Sequence, residues 1–118
     1  MKLLKLVVDS PDIVPFANQV KKSFRLDYMN QSADMLLMAS EVYKFRNSAT
    51  QMNMVVMKFV DGKIHVDIIG AAGTAGFLGV LGISLWSESG FVKSMKRTME
   101  NICALNNIDV KERYDREV

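Results

Sequence analysis

The sequence predicts one two-layer α+β domain, with an antiparallel sheet of about four to five strands carrying two amphipathic helices. The predicted order is β-α-β-β-β, a glycine-rich segment, then α. Three observations lead there. Asp61-Gly62 separates two apolar-rich runs, residues 52–60 and 63–69, as a hairpin turn whose two central residues need positive φ. Two other stretches place apolar residues at helical spacing. No strand–helix–strand alternation of the kind that builds a parallel sheet is visible, and 118 residues suit a single core.

Residues 2–8, rich in Leu and Val, read as the first strand, ended by Asp9, Ser10 and Pro11. Asp12 is the expected N-cap of a helix over about 13–25, with Pro15 in its first turn, where a missing N–H costs little. Ile13, Phe16, Ala17, Val20 and Phe24 share one face of it. The polar stretch 27–34 reads as a loop. Residues 35–45 then form a strand in which Tyr43 and Phe45 stand opposite Val42, Lys44 and Arg46. Its first half is apolar on both faces, which predicts burial on both sides and is compatible with a bulge. Residues 47–50 form a turn into the hairpin.

Across that hairpin Val55, Met57 and Phe59 share a face, as do Ile64, Val66 and Ile68, with Lys63, His65 and Asp67 on the reverse. Ser87 is the expected N-cap of the second helix, with Trp86 and Phe91 as a hydrophobic staple. Its apolar stripe is Phe91, Met95, Met99 and Ile102, flanked by Val92 and Cys103. Asn106-Asn107 ends it, because Asn tolerates the left-handed conformation. The tail alternates Ile108, Val110 and Tyr114 with Asp109, Lys111 and Arg113, the pattern of an edge strand or of a frayed end.

The net charge of +2 is spread over the chain. Two basic clusters (Lys21, Lys22 and Arg25; Lys93, Lys96 and Arg97) fall on helices, where a solvated face accounts for them. The dense basic stripe interleaved with aromatics that nucleic-acid binding requires is missing. Cys103 is the single cysteine, so no intramolecular disulfide can form. Asp9 and Pro11 cut short the first apolar run, which leaves no secretory h-region. A reduced, cytoplasmic setting is the expectation.

Residues 68–87 carry no charge, and Gly70, Gly73, Gly76, Gly79 and Gly82 recur there at every third place. A phosphate cradle would need G-x-G-x-x-G or Gly-Lys-Ser/Thr; the spacing is G-x-x-G and from Gly70 onward no Lys or Arg occurs until Lys93. Gly73-Thr74-Ala75-Gly76 matches the bare GxxG of RNA-clamping loops without their basic residues. A collagen-like reading fails for want of proline. Shallow membrane insertion through Phe77, Leu78 and Leu81 is the third reading, against the cost of five glycines to any spanning helix. The fourth, structural reading leads. The strand begun at Lys63 ends near Ala72, a compact turn follows, and residues 78–85 pair back as a short strand, with a second subunit covering the apolar segment.

Nine methionines, among them Met35, Met38, Met52, Met54, Met57, Met95 and Met99 on predicted elements, read first as core and second as an adaptable apolar groove. His65 and Asp67 share a strand face and could form a His–carboxylate pair serving as a general base, but nothing ties a nucleophile to them, and one His builds no His-rich metal site. Glu41, Asp67 and Glu88 cannot be joined into one cleft from sequence, and no cofactor is implied. Cys103 reads as a small core residue.

The order of elements, together with the Trp86-Ser87-Glu88-Ser89-Gly90-Phe91 entry into the last helix, resembles a small bacterial family of no assigned function. The resemblance implies a similar α+β fold and supplies no active residues. The leading expectation is a non-enzymatic interaction or apolar-ligand-binding domain that self-associates as a homodimer or higher, with Gly73, Gly76, Phe77, Leu78, Leu81 and Trp86 as candidate binding residues. The alternatives are peripheral membrane association through residues 68–86, and an enzyme using His65 and Asp67.

Overall fold

The computed structural model describes residues 2–10, 13–24, 27–44, 49–73 and 84–117. Its elements are β1 (Lys2–Val8), α1 (Ile13–Lys22), β2 (Tyr28–Gln31), β3 (Met35–Lys44), β4 (Ala49–Val60), β5 (Lys63–Gly73), α2 (Ser84–Leu105) and β6 (Val110–Glu117). The α+β class and the antiparallel sheet are as expected, but the sheet has six strands, ordered β2-β3-β4-β5-β1-β6. The additional strand is β2, inside the stretch expected to be a loop. All four of its residues are exposed and it lies at the sheet edge, so it carries no alternation to betray it. The tail is β6, the opposite edge, paired to β1 with a register shift between Lys5 and Leu6.

Strands β2 to β5 form an antiparallel meander. At Asp61-Gly62 both residues have positive φ, 54° and 75°, the geometry that only Gly and a few polar residues adopt cheaply. β1 inserts between β5 and β6 and runs antiparallel to both, so β5 and β6 point the same way and α2 carries the chain across β1 between them. α2 stops as expected: Asn107 has φ 54°, and the Ile108 N–H donates to the Cys103 carbonyl at 2.8 Å.

Both helices pack on one face of the sheet. Leu4, Ile68, Val55 and Met38 form one row across four strands, and Leu6, Val66, Met57 and Leu36 the next; all eight are buried. Phe16, Ala17, Val20 and Phe24 from the α1 side and Val92, Met95, Met99 and Cys103 from α2 close over them. Phe24 and Phe91 meet edge to face, their centroids 5.7 Å apart.

Five local expectations need correction. α1 ends at Lys22, and the Ser23 hydroxyl and N–H both return to the Val20 carbonyl. α2 begins at Ser84, so Ser87 lies within the helix and is not its N-cap. That start also removes Ser84 and Leu85 from the expected strand over 78–85, whose other residues lie outside those described. The stripe of α2 centres on Val92, Met95, Met99 and Cys103, while Phe91 and Ile102 only flank it. Finally, the doubly apolar half of β3 is covered on one side only. Leu36 and Met38 are fully buried, Met35 and Leu37 half-buried on the reverse, and the β3–β4 register runs unbroken, without a bulge.

Candidate functional site

The face of the sheet turned away from the helices is apolar across its middle. The register sets Leu3, Ile69, Met54, Ala39 and Tyr28 side by side over five strands. Leu37 and Val56 stand in the next row, with Met52 and Ala71 on the far side of Met54. Tyr28 is 56% exposed, Val60 45% and Met52 38%. Large apolar side chains in solvent are ordinary one at a time, but a contiguous set on a sheet face that the described helices leave open is not. The seven methionines on predicted elements thus divide: Met38, Met57, Met95 and Met99 are core, while Met35, Met52 and Met54 lie on this outer face.

Charge on the same face lies toward its ends, apart from one ion pair in the row of Val56. At the hairpin end Lys58 stands directly across from His65, and Lys63 lies beyond. At the other end Glu41 sits in the row of Met52. Lys5 and Asp67 are paired across β1 and β5 at 3.2 Å. A shallow groove of about 320 Å³ runs between Lys5, Val56, Lys58, Val60, His65 and Asp67, and another of about 260 Å³ between Tyr28, Asn30, Ser32, Met35 and Leu37.

His65 and Asp67 therefore do share a face and a groove, as their spacing requires, but Asp67 is committed to Lys5 and His65 is exposed. Neither Ser nor Cys lines that groove. Cys103 is fully buried, and burial, with a smaller contribution from Glu100, pushes its thiol up to about 11, the behaviour of a packing residue and not of a nucleophile. Among the described residues no three His, Cys, Asp or Glu side chains gather as a metal site, and no helix is long and apolar enough to cross a membrane.

Of the candidate binding residues, Gly73 ends β5 and Trp86 lies in the first turn of α2. Gly76, Phe77, Leu78 and Leu81 lie outside the described residues. The outer-face residues are hard to see in the sequence because Val55, Met57 and Phe59 already give β4 one apolar face. Met52, Met54 and Val56 alternate with Asn53, Val55 and Met57, so both faces of the strand are apolar in part. That double pattern was the available signal.

Comparison with family models, with curated proteins and with solved structures gives no match in any of the three.

Proposed function

We propose that the protein is a non-enzymatic association module whose outer sheet face docks on the same face of a second copy. The observation that supports this is the apolar row Leu3, Ile69, Met54, Ala39 and Tyr28 on a sheet face that neither described helix covers. Six strands about 4.8 Å apart and about 24 Å long make a face of roughly 700 Å², close to the roughly 800 Å² per partner of a standard interface. Adaptable methionine side chains suit a surface that must fit its own copy.

Charge selects the second copy as the occupant. A two-fold axis lying across the strands, level with Val55, brings the Lys58 level of one copy over the Met52 level of the other. Glu41 of the second copy then lies about one strand spacing from Lys58, and the reciprocal pair forms by symmetry. Opposite charges at the two ends of an apolar patch make the face complementary to itself and fix its direction.

Sedimentation velocity tests the reading. The native chain is expected to sediment as a dimer and Val56→Lys as a folded monomer. Lys58→Glu should weaken the dimer, and adding Glu41→Lys should restore it. A native monomer at high concentration, or a dimer indifferent to Val56→Lys, overturns the proposal.

A further inference from the structure

The inner face of the sheet changes character along the strands. Beyond the two apolar rows, the register places Gly70, Asn53 and Ser40 together. Over them, between the end of α1 and α2, lies a cavity of about 200 Å³ with a closed end and an open one. Ser40 and Asn53 form its floor and are only 4% and 7% exposed, while Ser23 and Ser94 in the same lining are open to solvent. Phe24, Phe91 and Met95 make the apolar part of the described lining, and the two rings already meet edge to face. At about 30 Å³ per water that volume holds some six waters, or one small ring system.

The floor offers donors. Gln51 Nε2 donates to Asn53 Oδ1, which occupies the carbonyl side of Asn53 and leaves its Nδ2 to the cavity that Asn53 lines. Among the described residues neither that Nδ2 nor the Ser40 hydroxyl has a protein partner. Neither is sealed off as Gln51 Oε1 is, an atom without accessible surface on a residue outside the lining. The Ser23 and Thr98 hydroxyls, by contrast, already donate to the Val20 and Ser94 carbonyls. A donor held at this depth without a partner forfeits the bond it makes in water, so an oxygen reaching the floor is favoured there over a carbon. Waters can serve those donors but find no partner along the aromatic and thioether wall, and an apolar group that displaces them there gains affinity.

We infer that this cavity binds a small aromatic molecule carrying a carbonyl oxygen, with the oxygen received by Asn53 Nδ2 and the Ser40 hydroxyl and the ring set against Phe24 and Phe91. A carbonyl oxygen has two lone pairs, so one atom serves both donors. A ring suits the wall because aromatic pairs gain from offset or edge-to-face contact beyond the area they bury. An apolar lining with a few polar groups converging at one end is the build of a small-molecule site. This inference is independent of the association proposed for the outer face, which lies on the other side of the sheet.

The test is a titration of the isotopically labelled full chain with acetophenone, α-methylstyrene and aniline, followed by NMR. α-Methylstyrene puts a methylene group in place of the carbonyl oxygen at nearly the same shape, and aniline puts an N–H donor in place of the acceptor. Acetophenone at millimolar concentration should shift the Asn53 side-chain amide and the backbone amides of Ser40, Ser94 and Thr98. It should bind about tenfold more tightly than α-methylstyrene, the difference that one or two hydrogen bonds make. Ser40→Ala removes one donor at almost constant volume and should narrow that ratio by about threefold or more. Ser94→Leu fills the open end without touching a floor donor and should abolish the shifts while the rest of the spectrum is kept. Silence from acetophenone, equal binding of α-methylstyrene, tighter binding of aniline, a ratio unmoved by Ser40→Ala, or shifts that survive Ser94→Leu would overturn the inference.

Discussion

Strand β4 belongs to two environments at once. Val55 and Met57 point toward the helices and are inaccessible to solvent, while Met54 and Val56, one residue away from each, point outward and remain half-exposed. The side chains are of the same kind; what differs is whether a helix lies over them. Apolar alternation therefore tells which residues could be buried, and the placement of α1 and α2 decides which of them are. An outer face left apolar keeps a hydrophobic drive that folding of one chain has not used, and the proposed association draws on it.

The largest effect that can break this contrast is on stability. Met57→Ala should cost about 2–5 kcal/mol in urea unfolding, because it opens a cavity among fully buried neighbours. Val56→Ala, measured where the chain is dilute enough to be monomeric, should cost less than about 1 kcal/mol. Equal costs would mean that the outer face is packed after all. The same variant should loosen the dimer at higher concentration, which separates its role in association from its role in folding.

Much of the inner face was legible in the sequence, because helical and strand periods point the same residues inward: Phe16, Ala17 and Val20 on α1, Val55 and Met57 on β4, Ile64, Val66 and Ile68 on β5. The turns were legible too, since Asp61-Gly62 and Asn107 need a backbone conformation that few residues accept. β2 was not. Its pairing with β3 is specified by backbone hydrogen bonds and by Asp27, whose N–H donates to the Ala39 carbonyl and whose carboxylate accepts from the Glu41 N–H. Tyr-Met-Asn-Gln announces none of that. The start of α2 was misplaced because Ser87 imitates a cap, although Leu85 and Trp86 can continue a helix equally well. The buried pair Gln51 and Asn53 is not legible although both share the parity of Val55, because polar residues at inward positions look like the fading of a strand.

A smaller effect reads how dry the inner face is. The Cys103 thiol titrates at about 11 in the folded chain against an ordinary value of 9.0, so between those values the folded state holds a proton that the unfolded state has lost. Stability is then fully present below pH 9 and falls as pH rises toward 11. The loss attributable to this group is on the order of 2–3 kcal/mol. Cys103→Ala should remove that slope, seen as a difference between the two alkaline unfolding curves. Identical slopes would show that water reaches the sulfur. Thiol-specific labelling at neutral pH should likewise be slow until the chain unfolds.

The smallest effect belongs to the outer face and sharpens the contrast from the other side. Lys5 and Asp67 meet at 3.2 Å, but their side chains keep 48% and 32% of their exposure, so solvent screens the pair. A double-mutant cycle with Lys5→Ala and Asp67→Ala should return about 0.2–1 kcal/mol in the monomer, declining as salt is raised. In the proposed dimer the pair is shielded by the second copy, and an interaction that loses its water becomes less sensitive to salt. The cycle should therefore flatten against ionic strength as protein concentration crosses the dimerisation range. A coupling with the same salt dependence on both sides of that range would mean that the second copy does not cover β1 and β5, and the docked region would have to be redrawn toward β2 and β3.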